Sequence, residues 1–171
     1  IGKDALLYNT TGTNNVGIGS ASLDANTTGD NNTGLGTNAL GANTTAEANT
    51  AVGVNALLVN TTGAYNTAVG MSSLDANTTG TRNDALGYQA GTALTTGSYN
   101  TFIGERAGSS TTTASENVAV GSASFSANTT GTACVAIGKN ALAANTTAAN
   151  NTAVGYASLG ANTTGTNQTA V

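Results

Sequence analysis

The sequence contains no proline, histidine or tryptophan, and only 7% of its residues are charged and 4% aromatic. Ordinary domains carry roughly a quarter charged residues, so hydroxyl and amide groups must provide most of the solvated surface here. Without histidine, the commonest general base and the commonest nitrogen ligand of a metal are both missing. No apolar run approaches the roughly 20 residues that a membrane-spanning helix needs.

The net charge and the absence of known binding motifs exclude further classes of function. The net charge of −4 provides no basic surface for nucleic acid or an anionic membrane. The single cysteine, Cys134, excludes an internal disulfide bond. The carboxylates lack the Asp-x-Asp pattern of a calcium loop, and the segments GIG and GLG lack the third glycine of a nucleotide-binding loop. We therefore predict no enzymatic activity, no cofactor and no metal site.

What the chain does contain is a repeat. The pentapeptide NTAVG occurs at residues 49–53, 66–70 and 151–155, and related segments recur every 17 residues from end to end without insertion or deletion. We number the repeat positions as columns 1 to 17, where column 1 is the asparagine of NTAVG. Column 4 is always a branched aliphatic residue, column 5 is always glycine, and columns 13 and 14 are always threonine.

The repeat predicts an all-β fold. Its 17 residues are too few for a helix pair, and Asn, Thr and Gly every few residues disfavour helix. A short strand, a turn, a second short strand and a second turn fit each repeat. Coils of this kind, stacked about 4.8 Å apart, form a parallel β-solenoid or β-roll of ten coils. We assign residues 1–171 to this single repetitive domain and expect it to be a segment of a longer fibre.

Alternation of side chains along the strand predicts two faces. We expect the column 4 aliphatics, such as Val69, to point into the core and to meet column 9 leucines, such as Leu74, from the second strand. The opposite face holds mostly alanine and glycine, which favours close approach by another surface. Because each coil buries few apolar residues against a large ordering cost, we expect chains to associate through this small-residue face.

The pattern NTAVG-x-x-A/S resembles the head repeats of trimeric autotransporter adhesins, the YadA-like family. The longer unit NTAVGYASLGANTTGTN, residues 151–167, is also similar to repeats of phage and virus tail fibres. This unit is longer than the autotransporter one, and its extra residues fall in the ANTTG turn. The resemblance implies a left-handed parallel β-roll with three chains side by side, displayed outside a cell or on a virion and without catalytic residues.

We therefore expect a non-enzymatic structural fibre or shaft segment of an extracellular or virion surface adhesin, which provides reach and multivalent surface contact. Its partners would be copies of itself, as a trimer or a head-to-tail filament, and a glycan or cell-surface receptor. Neither nucleic acid nor membrane insertion is expected. A self-assembling extracellular filament without a receptor role is the first alternative.

An ice-binding β-solenoid that uses threonine ladders is the second alternative. The two threonines of each repeat are adjacent, so on a strand they would face opposite sides. A flat ice-binding face needs alternate threonines, so the adjacent pair disfavours this alternative.

The most varied columns lie in the middle of the chain. Column 17 reads Tyr65, Arg82 and Tyr99 in successive coils, which predicts a stacked cation–π ladder on one edge. Aromatic and guanidinium groups on a hydroxyl-rich surface suit contact with a glycan or receptor. The predicted contact patch consists of Tyr65, Arg82, Tyr99, Tyr88 and Arg106.

The same coils carry Phe102, and there column 9 changes from leucine to Gly91 and Gly108. The alternative to a contact patch is therefore drift in solvent-facing columns, accompanied by local repacking around Phe102.

The repeat also creates Asn-x-Thr sequons, which a eukaryotic secretory pathway can glycosylate. The alternative is that they follow from turn chemistry, because Asn and Gly readily occupy left-handed conformations. The column 12 sequons are at Asn9, Asn26, Asn43, Asn60, Asn77, Asn128, Asn145 and Asn162, and others are at Asn31, Asn150 and Asn167.

Overall fold

The computed structural model describes residues 1–171 and is an all-β parallel solenoid, as predicted. Ten short strands form one sheet in chain order, and each strand pairs in parallel with the next. The structure contains no helix that is long and apolar enough to cross a membrane. The strands are β1 (Val16–Ile18), β2 (Thr33–Leu35), β3 (Thr50–Val52), β4 (Thr67–Val69), β5 (Asp84–Leu86), β6 (Thr101–Ile103), β7 (Val118–Val120), β8 (Val135–Ile137), β9 (Thr152–Val154) and β10 (Thr169–Ala170).

Successive strands are offset by one repeat throughout the sheet. Thr50 pairs with Thr67 and Val52 pairs with Val69, and the other strand pairs keep the same register. Every column therefore stacks on itself and forms a ladder at the spacing of about 4.8 Å between paired strands. The predicted coil length is confirmed.

Each coil contains one strand and not the two that were predicted. Columns 7, 9 and 17 have positive φ, for example 54° at Ser72, 50° at Leu74 and 60° at Tyr65. A left-handed conformation costs a residue with a Cβ roughly 1–2 kcal/mol. Hydrogen bonds between coils hold it in place, such as the one from the Leu74 N–H to the Ala90 carbonyl at 3.0 Å. These alternating left-handed turns replace the second strand.

The interior of the coil is lined by small residues and leucine. Column 3, at the centre of each strand, is fully buried at Ala51 and Ala68, and columns 8 and 9 bury residues such as Ala56 and Leu57. Together they form one continuous hydrophobic core. The prediction that column 4 points inward and column 3 outward is therefore wrong. Column 4 side chains are only partly buried, and Leu86 is 51% exposed.

Space inside the coil explains this orientation. Where column 3 is glycine, an added Cβ would lie 2.5 Å from Ser22 Oγ at Gly34 and 3.1 Å from Leu6 Cγ at Gly17. Alanine nearly fills the space that columns 8 and 9 leave for column 3. A branched aliphatic residue there would overpack the coil, which typically costs about 1–3 kcal/mol. The strand therefore turns its larger side chains outward.

Phe102 is the exception in column 3. A Cβ added at Gly91 would lie 2.7 Å from Phe102 Cδ2, and one added at Gly108 would lie 2.5 Å from Phe102 Cε1. The ring occupies the space of two column 9 leucines, so the two glycines and the phenylalanine form one packing unit. The predicted local repacking around Phe102 is confirmed.

Asparagine columns 1 and 12 are also interior. In column 12, the Asn60 side-chain amide donates to Asn43 Oδ1 at 3.1 Å and to the Gly63 carbonyl at 2.8 Å. In column 1, the Asn66 backbone N–H donates to Asn49 Oδ1 at 2.9 Å. Buried polar groups need such partners. Two ladders of amides thus run through the solenoid beside its hydrophobic core.

The column 12 ladder is interrupted in the coils around Phe102, where Leu94 and Thr111 replace asparagine. Asn77 Oδ1 has no hydrogen-bond partner, because Leu94 in the next coil offers no donor, and the buried Thr111 hydroxyl also lacks one. These are the two unpaired buried polar side-chain atoms of the chain. The interior is therefore least regular in the same coils where the surface is most varied.

Candidate functional site

Columns 2 and 4 form the outer surface of the sheet, which we call the aliphatic face. Column 4 contributes a branched aliphatic residue in every coil, and these side chains stay partly exposed, for example 39% at Ile18 and 38% at Ile103. Column 2 contributes threonine or valine in every coil but one, where Asp84 supplies a charge. Large exposed apolar patches are uncommon on monomeric proteins, so this row of aliphatic side chains is the first candidate for a contact surface.

Column 17 projects from the turn before each strand, and its middle coils form a stacked group. We call Glu47, Tyr65, Arg82 and Tyr99 the aromatic ladder. The guanidinium carbon of Arg82 lies 5.3 Å from the Tyr65 ring centroid and 5.5 Å from the Tyr99 ring centroid. Arg82 Nη1 also donates to the Tyr99 hydroxyl at 3.0 Å. The predicted cation–π stack is present, and its side chains are exposed.

Glu47 is a member of the ladder that the sequence reasoning missed. The Tyr65 hydroxyl donates to Glu47 Oε1 at 2.8 Å. This hydrogen bond, together with the negative charge of Glu47, raises the pKa of the Tyr65 phenol. Glu47 lies in column 16 of the preceding coil. The sequence feature that could have identified it is a charged residue in the column next to that of Tyr65, one coil earlier.

Tyr88 and Arg106 lie across the aliphatic face from the ladder, in columns 6 and 7. Both are exposed, and neither takes part in the cation–π contacts or hydrogen bonds of the ladder. The structure thus divides the predicted patch. Tyr65, Arg82 and Tyr99 form one unit, and the other two residues border the same face from the opposite side.

The column 12 sequons point into the solenoid. In each, the side-chain nitrogen that would carry a glycan donates to a carbonyl inside the coil, for example from Asn145 to Ala148 at 3.0 Å. A glycan does not fit where the asparagine is fully buried, so glycosylation at those positions is incompatible with the folded chain. Asn26, Asn43, Asn60, Asn77, Asn128 and Asn145 are fully buried, Asn9 and Asn162 are partly buried, and the column 17 residues Asn31, Asn150 and Asn167 are exposed.

Cys134 occupies column 1, where most other coils have a buried asparagine. Its backbone N–H still makes the hydrogen bond of the ladder and donates to Asn117 Oδ1 at 3.0 Å. Its thiol lies 3.5 Å from the Ala148 carbonyl oxygen. Burial raises the pKa of this thiol. A protonated and enclosed thiol is a poor nucleophile, so Cys134 belongs to the core.

No protein-family model matches this chain, and comparisons with curated proteins and with solved structures also produced no match.

Proposed function

We propose that this chain is a structural, non-enzymatic segment of a fibre or shaft on the outside of a cell or virion, and that it functions as an assembly of identical chains. The aliphatic face carries the proposal. A single rod in water would leave one branched aliphatic side chain of every coil partly exposed. The resemblance to YadA-like head repeats and to tail-fibre repeats supports an extracellular setting and three chains side by side.

The dimensions of the aliphatic face suit a subunit interface. Ten coils at about 4.8 Å give a length of about 48 Å, and a three-residue strand with its flanking side chains is about 15 Å wide. The resulting surface is on the order of 700 Å², close to the roughly 800 Å² per partner of a stable interface. This face replaces the small-residue face that the sequence suggested as the interface, because alanine and glycine of column 3 are inside the coil.

A fibre acts as an adhesin when repetition multiplies weak contact sites. The aromatic ladder offers planar aromatic and guanidinium groups at the border of the aliphatic face, on a surface that otherwise presents hydroxyls and amides. Such groups suit stacking on the apolar face of a sugar ring. A filament without a receptor, the second candidate, would use the same interface and leave the ladder without a ligand.

Light scattering combined with small-angle X-ray scattering tests the assembly. We expect a mass of three chains and a rod about 50 Å long, from the coil spacing. Leu86→Asp places a charge in the aliphatic face and should yield folded monomers. Its matched control, Thr79→Asp, adds the same charge to an exposed residue outside that face and should keep the assembled mass. A wild-type chain that stays monomeric at every concentration contradicts the proposal.

A glycan array or a cell-binding assay tests the adhesin role. Arg82→Ala and Tyr99→Ala each break the ladder and should reduce binding several-fold, because a cation–π contact at an exposed site contributes about 0.5–1 kcal/mol. Lys139→Ala removes an exposed cation from another part of the surface and should leave binding unchanged. Binding that is insensitive to both ladder variants would favour the filament without a receptor.

A further inference from the structure

The two threonines of each repeat have different roles. The column 13 hydroxyl is used inside the fold: Thr27 Oγ1 donates to the Thr44 carbonyl at 3.0 Å, and Thr61 Oγ1 donates to the Thr78 carbonyl at 3.1 Å. The column 14 threonine, such as Thr62, is exposed in every coil and makes no side-chain hydrogen bond within the chain. Column 14 is therefore a straight ladder of free threonine hydroxyls and methyl groups.

Column 16 flanks column 14 on the other side of a buried residue. Column 15 is buried at Gly63 and Gly80, whereas column 14 is exposed and column 16 is exposed or half-buried in every coil. Segments such as Thr79-Gly80-Thr81 thus supply the alternate threonines that the adjacent pair in the sequence does not. The adjacent threonines of columns 13 and 14 would not form a flat ice-binding face, whereas columns 14 and 16 are separated by one buried residue.

We call the outward residues of columns 14 and 16 between Thr62 and Thr166 the hydroxyl face. Twelve of its fourteen side chains are threonine or serine, and the other two are Ala64 and Ala149. It contains no charged, aromatic or large aliphatic side chain, in contrast to columns 2, 4, 6 and 17. This composition leaves little apolar area for a second protein and no charge for an ionic ligand.

The backbone beneath the hydroxyl face is held in register by hydrogen bonds between coils. The Thr78 N–H donates to the Thr95 carbonyl at 2.9 Å, and the Thr79 N–H donates to the same oxygen at 3.4 Å. Each coil therefore sets its threonine about 4.8 Å from the next. This spacing is close to the oxygen repeat of hexagonal ice along its a axis. An array that is already rigid loses little entropy when it orders a layer of water.

We propose that the hydroxyl face binds the surface of ice through a layer of ordered water that matches its threonine ladder. The inference goes beyond the fibre function and uses another part of the coil, separated from the aliphatic face by the turn at column 17. An assembly that buries the aliphatic face can keep the hydroxyl face free.

Nanolitre osmometry and ice-crystal microscopy on the full chain test this proposal. We expect thermal hysteresis and faceted ice crystals from the wild-type protein. The double variant Thr113→Lys/Thr130→Lys introduces two strongly hydrated cations in column 14 and should lose both effects. The matched control is Thr37→Lys, which changes an exposed threonine of column 6 and should retain them. Circular dichroism should show that all these proteins keep the wild-type fold.

Unfaceted crystals without hysteresis in the wild-type protein would overturn the proposal. So would full activity of the double variant, or an equal loss in the Thr37→Lys control, because either result would place ice contact outside the hydroxyl face. The solution mass is measured separately. A chain that assembles without shaping ice overturns only the ice-binding proposal, and a monomer that shapes ice overturns only the fibre proposal.

Discussion

The aliphatic face and the hydroxyl face are constructed in the same way, but only the aliphatic face has a column of branched aliphatic residues. Each consists of two outward columns on either side of a buried one, which is alanine at Ala68 in the first case and glycine at Gly80 in the second. Hydrogen bonds between coils give both faces the same spacing along the rod. The solenoid therefore determines the spacing and rigidity of the side-chain ladders, whereas the outward residue of each column determines what a surface can bind.

We expect the largest loss of stability when a charge is placed on the side of the strand that faces the core. Ala68→Asp puts an unpaired charge into the core and should cost about 3–5 kcal/mol of unfolding free energy, or prevent folding. Val69→Asp changes the next residue, which belongs to the aliphatic face, and should fold with a wild-type circular dichroism spectrum while losing self-association. Equal disruption of folding by both variants would contradict the comparison between buried and outward columns.

The second prediction concerns the coils around Phe102, where the core beneath both faces is packed differently from the other coils. Phe102→Ala should lower the free energy of unfolding by about 3–5 kcal/mol, because the ring leaves a cavity that alanine cannot fill. Adding Gly91→Leu should recover part of this loss, since Gly91 has φ 61°, close to the column 9 leucines, and its side-chain space is taken by the ring. Denaturant unfolding of the wild type, both single variants and the double variant measures the coupling, and additive effects would show that these residues do not share one space.

A smaller effect should separate the two threonine columns. Thr61→Val removes the hydroxyl that donates to the Thr78 carbonyl and should cost about 1 kcal/mol. Thr62→Val removes an exposed hydroxyl without a partner in the chain and should change the unfolding free energy by less than about 0.5 kcal/mol. Thermal unfolding checks both values, and a reversed order would mean that column 14 and not column 13 connects the coils.

The smallest effect concerns Asp30, a charged residue of column 16 that precedes the hydroxyl face. The Thr13 backbone N–H donates to its carboxylate at 2.6 Å and the Thr13 hydroxyl at 2.9 Å, and these bonds lower the pKa of Asp30. Its small stabilisation is therefore complete above the ordinary carboxyl pKa and is lost as the pH falls through the lowered value. An NMR titration should show a midpoint below that of an unperturbed aspartate, and Thr13→Val should move it upward.

Several features of the fold and of the candidate site could be predicted from one sequence, because parallel stacking in register converts a repeat directly into geometry. Residues one period apart become neighbours, so the Tyr65, Arg82 and Tyr99 stack follows from the printed order alone. The exchange of leucine for Gly91 and Gly108 near Phe102 likewise indicated a shared packing space. Glu47 could not be predicted in this way, because it contacts Tyr65 from a different column.

The sequence by itself determined the period, the solenoid and the identity of every ladder, since these depend only on residue spacing along the chain. Only the tertiary structure decided which columns are inside. A three-residue strand can turn either set of side chains inward, and the choice depends on the cross-section that remains once Leu74 and its equivalents are placed. That space accepts alanine and amide ladders, so the aliphatic column lies on the outside of the coil.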